Sequence, residues 1–154
     1  MARAGPVGAL LSDPSAAALL GPSQAGSVLE GRVTRQDDGL SQVETPIGAL
    51  EIAGIAPGTA AVRLRIRAED VIVATERPAG LSALNVLPMR IGALHEGQGP
   101  GVMLRLVAGE GALLARITRR SRDRLGLVPG QAVWAVLKTS GVARADVSGR
   151  PAGD

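Results

Sequence analysis

One motif is written twice in this chain, and that repetition limits what it can fold into. Residues 61–71 read Ala-Val-Arg-Leu-Arg-Ile-Arg-Ala-Glu-Asp-Val, and residues 132–142 read Ala-Val-Trp-Ala-Val-Leu-Lys-Thr-Ser-Gly-Val. Each follows a Pro-Gly pair, Pro57-Gly58 and Pro129-Gly130, and Ala61 to Ala132 and Arg67 to Lys138 are both 71 positions apart. Internal repetition at this spacing divides 154 residues into two similar lobes. Each lobe is marginal for an independent core, so the lobes are expected to pack together or the chain to pair with a second copy. The second copy of the motif holds the only Trp, Trp134, and the only Lys, Lys138.

Within the first copy Val62, Leu64 and Ile66 alternate strictly with Arg63, Arg65 and Arg67. A period of two puts the apolar set on one buried strand face and the guanidinium groups on the other. Phe and Tyr are absent, so Val, Leu, Ile and Ala must fill the core. Twenty-one Gly and ten Pro provide many short turns, which fits an all-β plan. Strands are predicted at 27–35, 40–44, 49–53, 62–67 and 70–75, the last closing the first lobe. A linker at 76–80 leads to strands at 85–94, 101–108, 112–118, 132–138 and 142–145. Thr118 can cap a short helix over 119–125 that Gly126 ends. Five short strands per lobe describe a small, partly open barrel of the oligonucleotide/oligosaccharide-binding (OB) type, here in tandem. The expected organisation is an N-terminal tail with a short helix (1–24), a first lobe (25–77), a second lobe (81–146) and a tail (147–154). Asp13-Pro14 starts the helix, as cap and first helical residue.

Several chemistries are excluded. Without Cys there is no disulfide or thiolate metal site. His95, the only His, lies in a turn-like run and reads as a solvated loop residue, so no catalytic triad or imidazole cluster can be built. The sole Lys follows Leu137, so these residues contain no P-loop. The chain is expected to be no enzyme. No apolar run reaches the roughly 20 residues of a membrane span, and the expected location is the cytoplasm. The paired acids Asp37-Asp38 and Glu69-Asp70 sit at turns and read as solvated. The Arg clusters at 63–67 and 116–124 admit a nucleic-acid reading, but one Trp supplies too few stacking rings.

What remains is a set of small donors near one ammonium: Ser82-Ala83-Leu84-Asn85, Thr118, and Lys138-Thr139-Ser140-Gly141. A tetrahedral dianion needs converging hydroxyls, main-chain N–H groups and a cation. The N-terminal amides of the 119–125 helix add a favourable place for negative charge. Ordinary turn residues are the alternative reading of the same positions.

Ser82-Ala83-Leu84-Asn85-Val86-Leu87, residues 114–127 and residues 135–142 resemble the molybdate-binding molbindin (Mop, or TOBE) domain. Residues 5–14 are similar to the end of an ABC-transporter ATPase domain, and residues 62–71 resemble the first half of the regulatory domain of the molybdate importer's ATP-binding subunit. The resemblance implies a tandem barrel that dimerises and binds molybdate or tungstate at subunit or lobe interfaces. Ser82, Ala83, Leu84 and Asn85 would offer hydroxyl and main-chain donors, Lys138 and Thr139 charge and a further donor, and Thr118 would reach in from a neighbouring subunit. An ABC ATPase domain or permease is the implied partner, which would hold the chain at the inner face of the membrane. The chain departs from the family at Leu84, where many members carry Arg. In the first lobe Glu69-Asp70 stand beside Arg67, and two carboxylates repel a dianion, so one half-site per chain is expected. The functional expectation is a molybdate/tungstate-binding regulatory or storage domain. Alternatives are a dimerisation or docking domain without ligand, and an OB-type nucleic-acid binder.

Overall fold

The computed structural model describes residues 25–83, 85–97 and 99–138, and the backbone of 142–146. The helix expected before residue 24 and the tail after 146 lie outside the described residues. Ten strands follow in order: β1 Gly26–Asp37, β2 Leu40–Thr45, β3 Gly48–Ala53, β4 Ala61–Arg67, β5 Ile72–Ala74, β6 Asn85–Glu96, β7 Gly101–Ala108, β8 Gly111–Thr118, β9 Ala132–Leu137 and β10 Val142–Asp146. Among the described residues, a 3-10 turn, Ala68–Asp70, follows β4, and a helix, α1 Arg119–Leu125, follows β8. The fold is all-β, with two five-stranded sheets.

Local sequence accounts for most elements. Asp38 and Gly39 both have positive φ, 55° and 74°, the two-residue turn whose twist suits a tight hairpin between β1 and β2. Thr118 caps α1 by accepting a bond from the Ser121 N–H, and Gly126 ends it in the left-handed conformation. In β4 burial alternates along the whole strand, with Val62, Leu64 and Ile66 inside and the three Arg outside. Pro88 sits inside β6 at a point where only β9 pairs with it, since β7 begins its pairing at Arg90; one side of the strand there needs no donor.

The two halves match element for element. β1 pairs with β4 so that Ser27 faces Ile66, and β6 pairs with β9 so that Asn85 faces Leu137. Both long strands carry a bulge at the matching place, between Val33 and Arg35 and between Ile91 and Ala93. A bulge bends the strand, letting each serve one partner at its start and another at its end.

The closing strands differ from the sequence expectation. The first sheet has the order β10-β4-β1-β2-β3 and the second β5-β9-β6-β7-β8. The segment expected to close the first lobe, now β5, pairs with β9, and β10 at the end of the chain pairs with β4. Each sheet therefore takes its fifth strand from the other half. The chain crosses at two equivalent points, between β4 and β5 through the 3-10 turn 68–70, and between β9 and β10. A three-residue strand shows no periodicity that identifies its partner, so alternation alone could not reveal the exchange.

One core serves both sheets. Leu29, Leu50, Leu64 and Ile66 belong to the same buried cluster as Ile91, Leu104, Leu113 and Leu137. His95 lies in β6 opposite Met103 and is half-buried, not a loop residue, because the strand runs two residues beyond its expected end.

Candidate functional site

β6 and β9 bring two of the predicted segments to one end of the second sheet. Asn85 opens β6 opposite Leu137, the last residue of β9, and Lys138 follows it. Ser82 and Lys138 are exposed and Ala83 is half-buried. Leu84 and Thr139 lie outside the described residues.

Asn85 is 3% exposed, and its carboxamide is committed. The Oδ1 accepts from the Glu51 N–H at 2.7 Å and the Nδ2 donates to the Glu51 carbonyl at 3.0 Å. The side chain thus pairs with β3 of the first sheet as a short piece of strand would. The matching residue in the first half, Ser27, is fully buried and accepts from the Leu114 N–H of β8 at 2.9 Å. These reciprocal bonds tie the start of each long strand to the other sheet, and neither was legible in the sequence.

Thr118 stands elsewhere. It faces Gly101 across β7 and β8, at the far end of β6 from Asn85. That is about 35 Å along the strand at the usual rise per residue. Its hydroxyl donates to the Ser121 Oγ and accepts from the Ser121 N–H, both at 3.0 Å. The Arg119 N–H already donates to the Pro100 carbonyl at 2.8 Å. The amides expected to hold an anion at this helix start are thus partly spent on its own cap.

The two crossovers differ in charge. In the first, Arg67 is ion-paired with Glu69 at 3.1 Å, and the Ala68 N–H donates to the Ala25 carbonyl. Applying the 71-residue repeat, Arg67 corresponds to Lys138 and Glu69 to Ser140. The second crossover keeps the cation and replaces the carboxylate by a hydroxyl.

Carboxylates surround the approach from the first lobe. A groove of about 420 Å³ is lined by Arg35, Asp37, Asp38, Glu51 and Asn85, among others. Among the described residues no group of three or more His, Asp or Glu could hold a metal ion. No helix among them is long and apolar enough to cross a membrane.

The outer faces of the sheets also differ. Arg63 and Arg65 of β4 correspond to Trp134 and Val136 of β9. Ile72 and Val86 face Val136, and Ala74 and Pro88 face Trp134. Ile72 is 62% exposed, and the Arg77 guanidinium lies over the Trp134 ring at 5.2 Å from its centroid. Lys138 ends this apolar face.

Comparison with known proteins agrees with this geometry. The TOBE domain model matches residues 81–143. The second half of this chain is similar to TOBE domains. The matched TOBE segment runs from just before β6 into β10, so it includes a strand that hydrogen-bonds to the first sheet. The molybdenum import ATP-binding protein ModC of Mesorhizobium japonicum is 43% identical over 126 residues, covering 80% of this chain and 34% of that protein. ModC 2 of Azotobacter vinelandii is 44% identical over 140 residues, covering 88% of this chain and 38% of that protein. ModC of Rhodobacter capsulatus is 39% identical over 142 residues. The chain therefore spans between a third and two fifths of the length of these relatives. Among solved structures, the cytoplasmic molybdate-binding protein ModG with molybdate bound superimposes with a TM-score of 0.66 at 22% identity. The match covers 76% of this chain and 93% of ModG, and at that identity it carries the tandem OB-like fold.

Proposed function

We propose that this chain is a molybdate- or tungstate-binding regulatory domain of the kind that accompanies the ATP-binding subunit of a molybdate importer. The observation that carries the reading is the second crossover. Where the first half fastens its cation with the Glu69 carboxylate, the second offers Lys138 with Thr139, Ser140 and Gly141. An external anion takes the place of the missing carboxylate, and hydroxyls and main-chain N–H groups complete its shell. Ser82 and the segment that enters β6 would add donors, since Asn85 pairs with Leu137 and Lys138 follows it. The Asn85 carboxamide fixes that segment to β3, so its part is positioning. Thr118, at the far end of the second sheet, reaches such a site only from a second copy. The names and coverage of the ModC relatives support the transporter context, and ModG supports the ligand class.

Occupancy would act on the transporter by favouring one arrangement of two partner chains over another. Calorimetry tests the binding itself. Molybdate and tungstate are expected to give a saturable heat, sulfate none, and Lys138→Ala to weaken binding at least tenfold. An unchanged affinity in Lys138→Ala, or equal heats for sulfate, overturns the reading.

A second reading rests on the apolar outer face of the second sheet. Trp134 and Pro88 stand where the first sheet bears Arg63 and Glu30, and Ile72 and Val86 flank them, as on a face that docks a second copy or an ATPase domain without any ligand. Concentration-dependent dimerisation in the absence of an oxyanion heat is the result that would favour it.

A further inference from the structure

The residue that Asn85 grips has a chemistry the anion reading leaves unused. Glu51 lies in β3 with its main chain held by the Asn85 carboxamide and its side chain exposed. Asn85 faces Leu137, and Lys138 follows. Glu51 therefore belongs to the corner where the proposed donors meet. The other half of the molecule shows what this corner holds when it is apolar. Ser27 there bonds the main chain of Leu114, as Asn85 bonds that of Glu51. The Leu114 side chain is buried in a cluster with Ala25, Ala68 and Met103. Ala25 and Ala83 each lie two residues before the matched pair Ser27 and Asn85, and under the 71-residue repeat Ala68 corresponds to Thr139. A carboxylate thus stands where its counterpart is a buried leucine. The groove beside it adds Asp37 and Asp38 against the single guanidinium of Arg35.

We propose that Glu51 sets the affinity of the oxyanion site, as a fixed negative charge at its rim that opposes a dianion or competes with it for Lys138. The inference rests on the oxyanion reading above. Its test is a charge series on the full chain, titrated with molybdate by calorimetry and by Trp134 fluorescence. Trp134 lies in β9, which Lys138 directly follows, and is the only Trp. Glu51→Gln removes one charge and is expected to tighten binding about three- to tenfold at low ionic strength. Glu51→Lys reverses the charge and is expected to tighten it by about the square of that factor. Both gains shrink as salt is raised. Substitution keeps the main-chain bonds to Asn85, so the urea midpoint should stay at the wild-type value. Equal or weaker binding by Glu51→Gln, or a Glu51→Lys protein no tighter than Glu51→Gln, overturns the role of Glu51 alone. Absence of molybdate binding from all three proteins overturns the oxyanion reading and this inference with it.

Discussion

The Asn85 carboxamide presents a donor and an acceptor side by side, and Glu51 uses both. Replacing Asn85 by Ala leaves a main-chain N–H and C=O of β3 without partners at a partly buried seam. Unmade bonds of that kind cost about 1–3 kcal/mol, so urea unfolding of Asn85→Ala should show a loss of that order with an unchanged m-value. At this scale the sequence was legible in part. It marked residues 82–85 and Lys138 as a group of donors, and the structure pairs Asn85 with Leu137, the residue before Lys138. It could not say that the Asn85 side chain was already engaged, because Glu51 lies thirty-four positions away and nothing in either residue type names the other. The ion pair of Arg67 with Glu69 was easier to foresee, being two positions apart on a turn.

Among elements, α1 shows how a charged surface segment is held. Its side chains Arg119 and Arg122 both reach Glu96 at the end of β6, Arg122 at 2.6 Å. The hydrogen bond from Arg122, with its charge and that of Arg119, holds the Glu96 carboxyl below its ordinary range, against a smaller opposing effect of burial. A carboxylate whose titration is depressed by folding stabilises the fold above its unfolded value, and that contribution fades as pH falls through the folded one. The stability difference between wild type and Glu96→Gln should therefore narrow as pH is lowered from about 6 to about 3, with both midpoints followed by circular dichroism. Because the pair is exposed, the difference should also shrink in salt. Elements with strong alternation or clear punctuation were readable in advance: β7 lies where it was expected, β4 needed one more residue, and Thr118 and Gly126 bound the helix as their chemistry requires. β5 was placed within two residues at its start yet given the wrong neighbour, since its pairing is decided by the path of the crossover and not by its own side chains.

The whole molecule behaves as one body by virtue of that exchange. With a single core and two donated strands, neither half has a complete sheet of its own. Circular dichroism and Trp134 fluorescence should report one coincident unfolding transition in urea. Residues 1–78 and 79–154 made separately should be unfolded, and should regain strand signal when mixed. Two resolved transitions, or a folded half, would contradict the shared core. The tandem arrangement was visible in the 71-residue repeat; the interlocking was not, because a repeat reveals equivalence between halves and is silent about which half supplies a given strand.

The exchange also explains the placement of the guanidinium ladder. β10 follows the other described strands in the sequence, and until it docks the flank of β4 is an unsatisfied row of peptide groups open to any passing chain. Arg63, Arg65 and Arg67 line the outer face of that strand, with Glu30 and Glu69 paired to the first and last, so two such molecules would meet with a charged face of net positive sign on each side. Mutual repulsion of that kind discourages strangers from zippering onto a vacant border and reserves the berth for the tail of the same polypeptide.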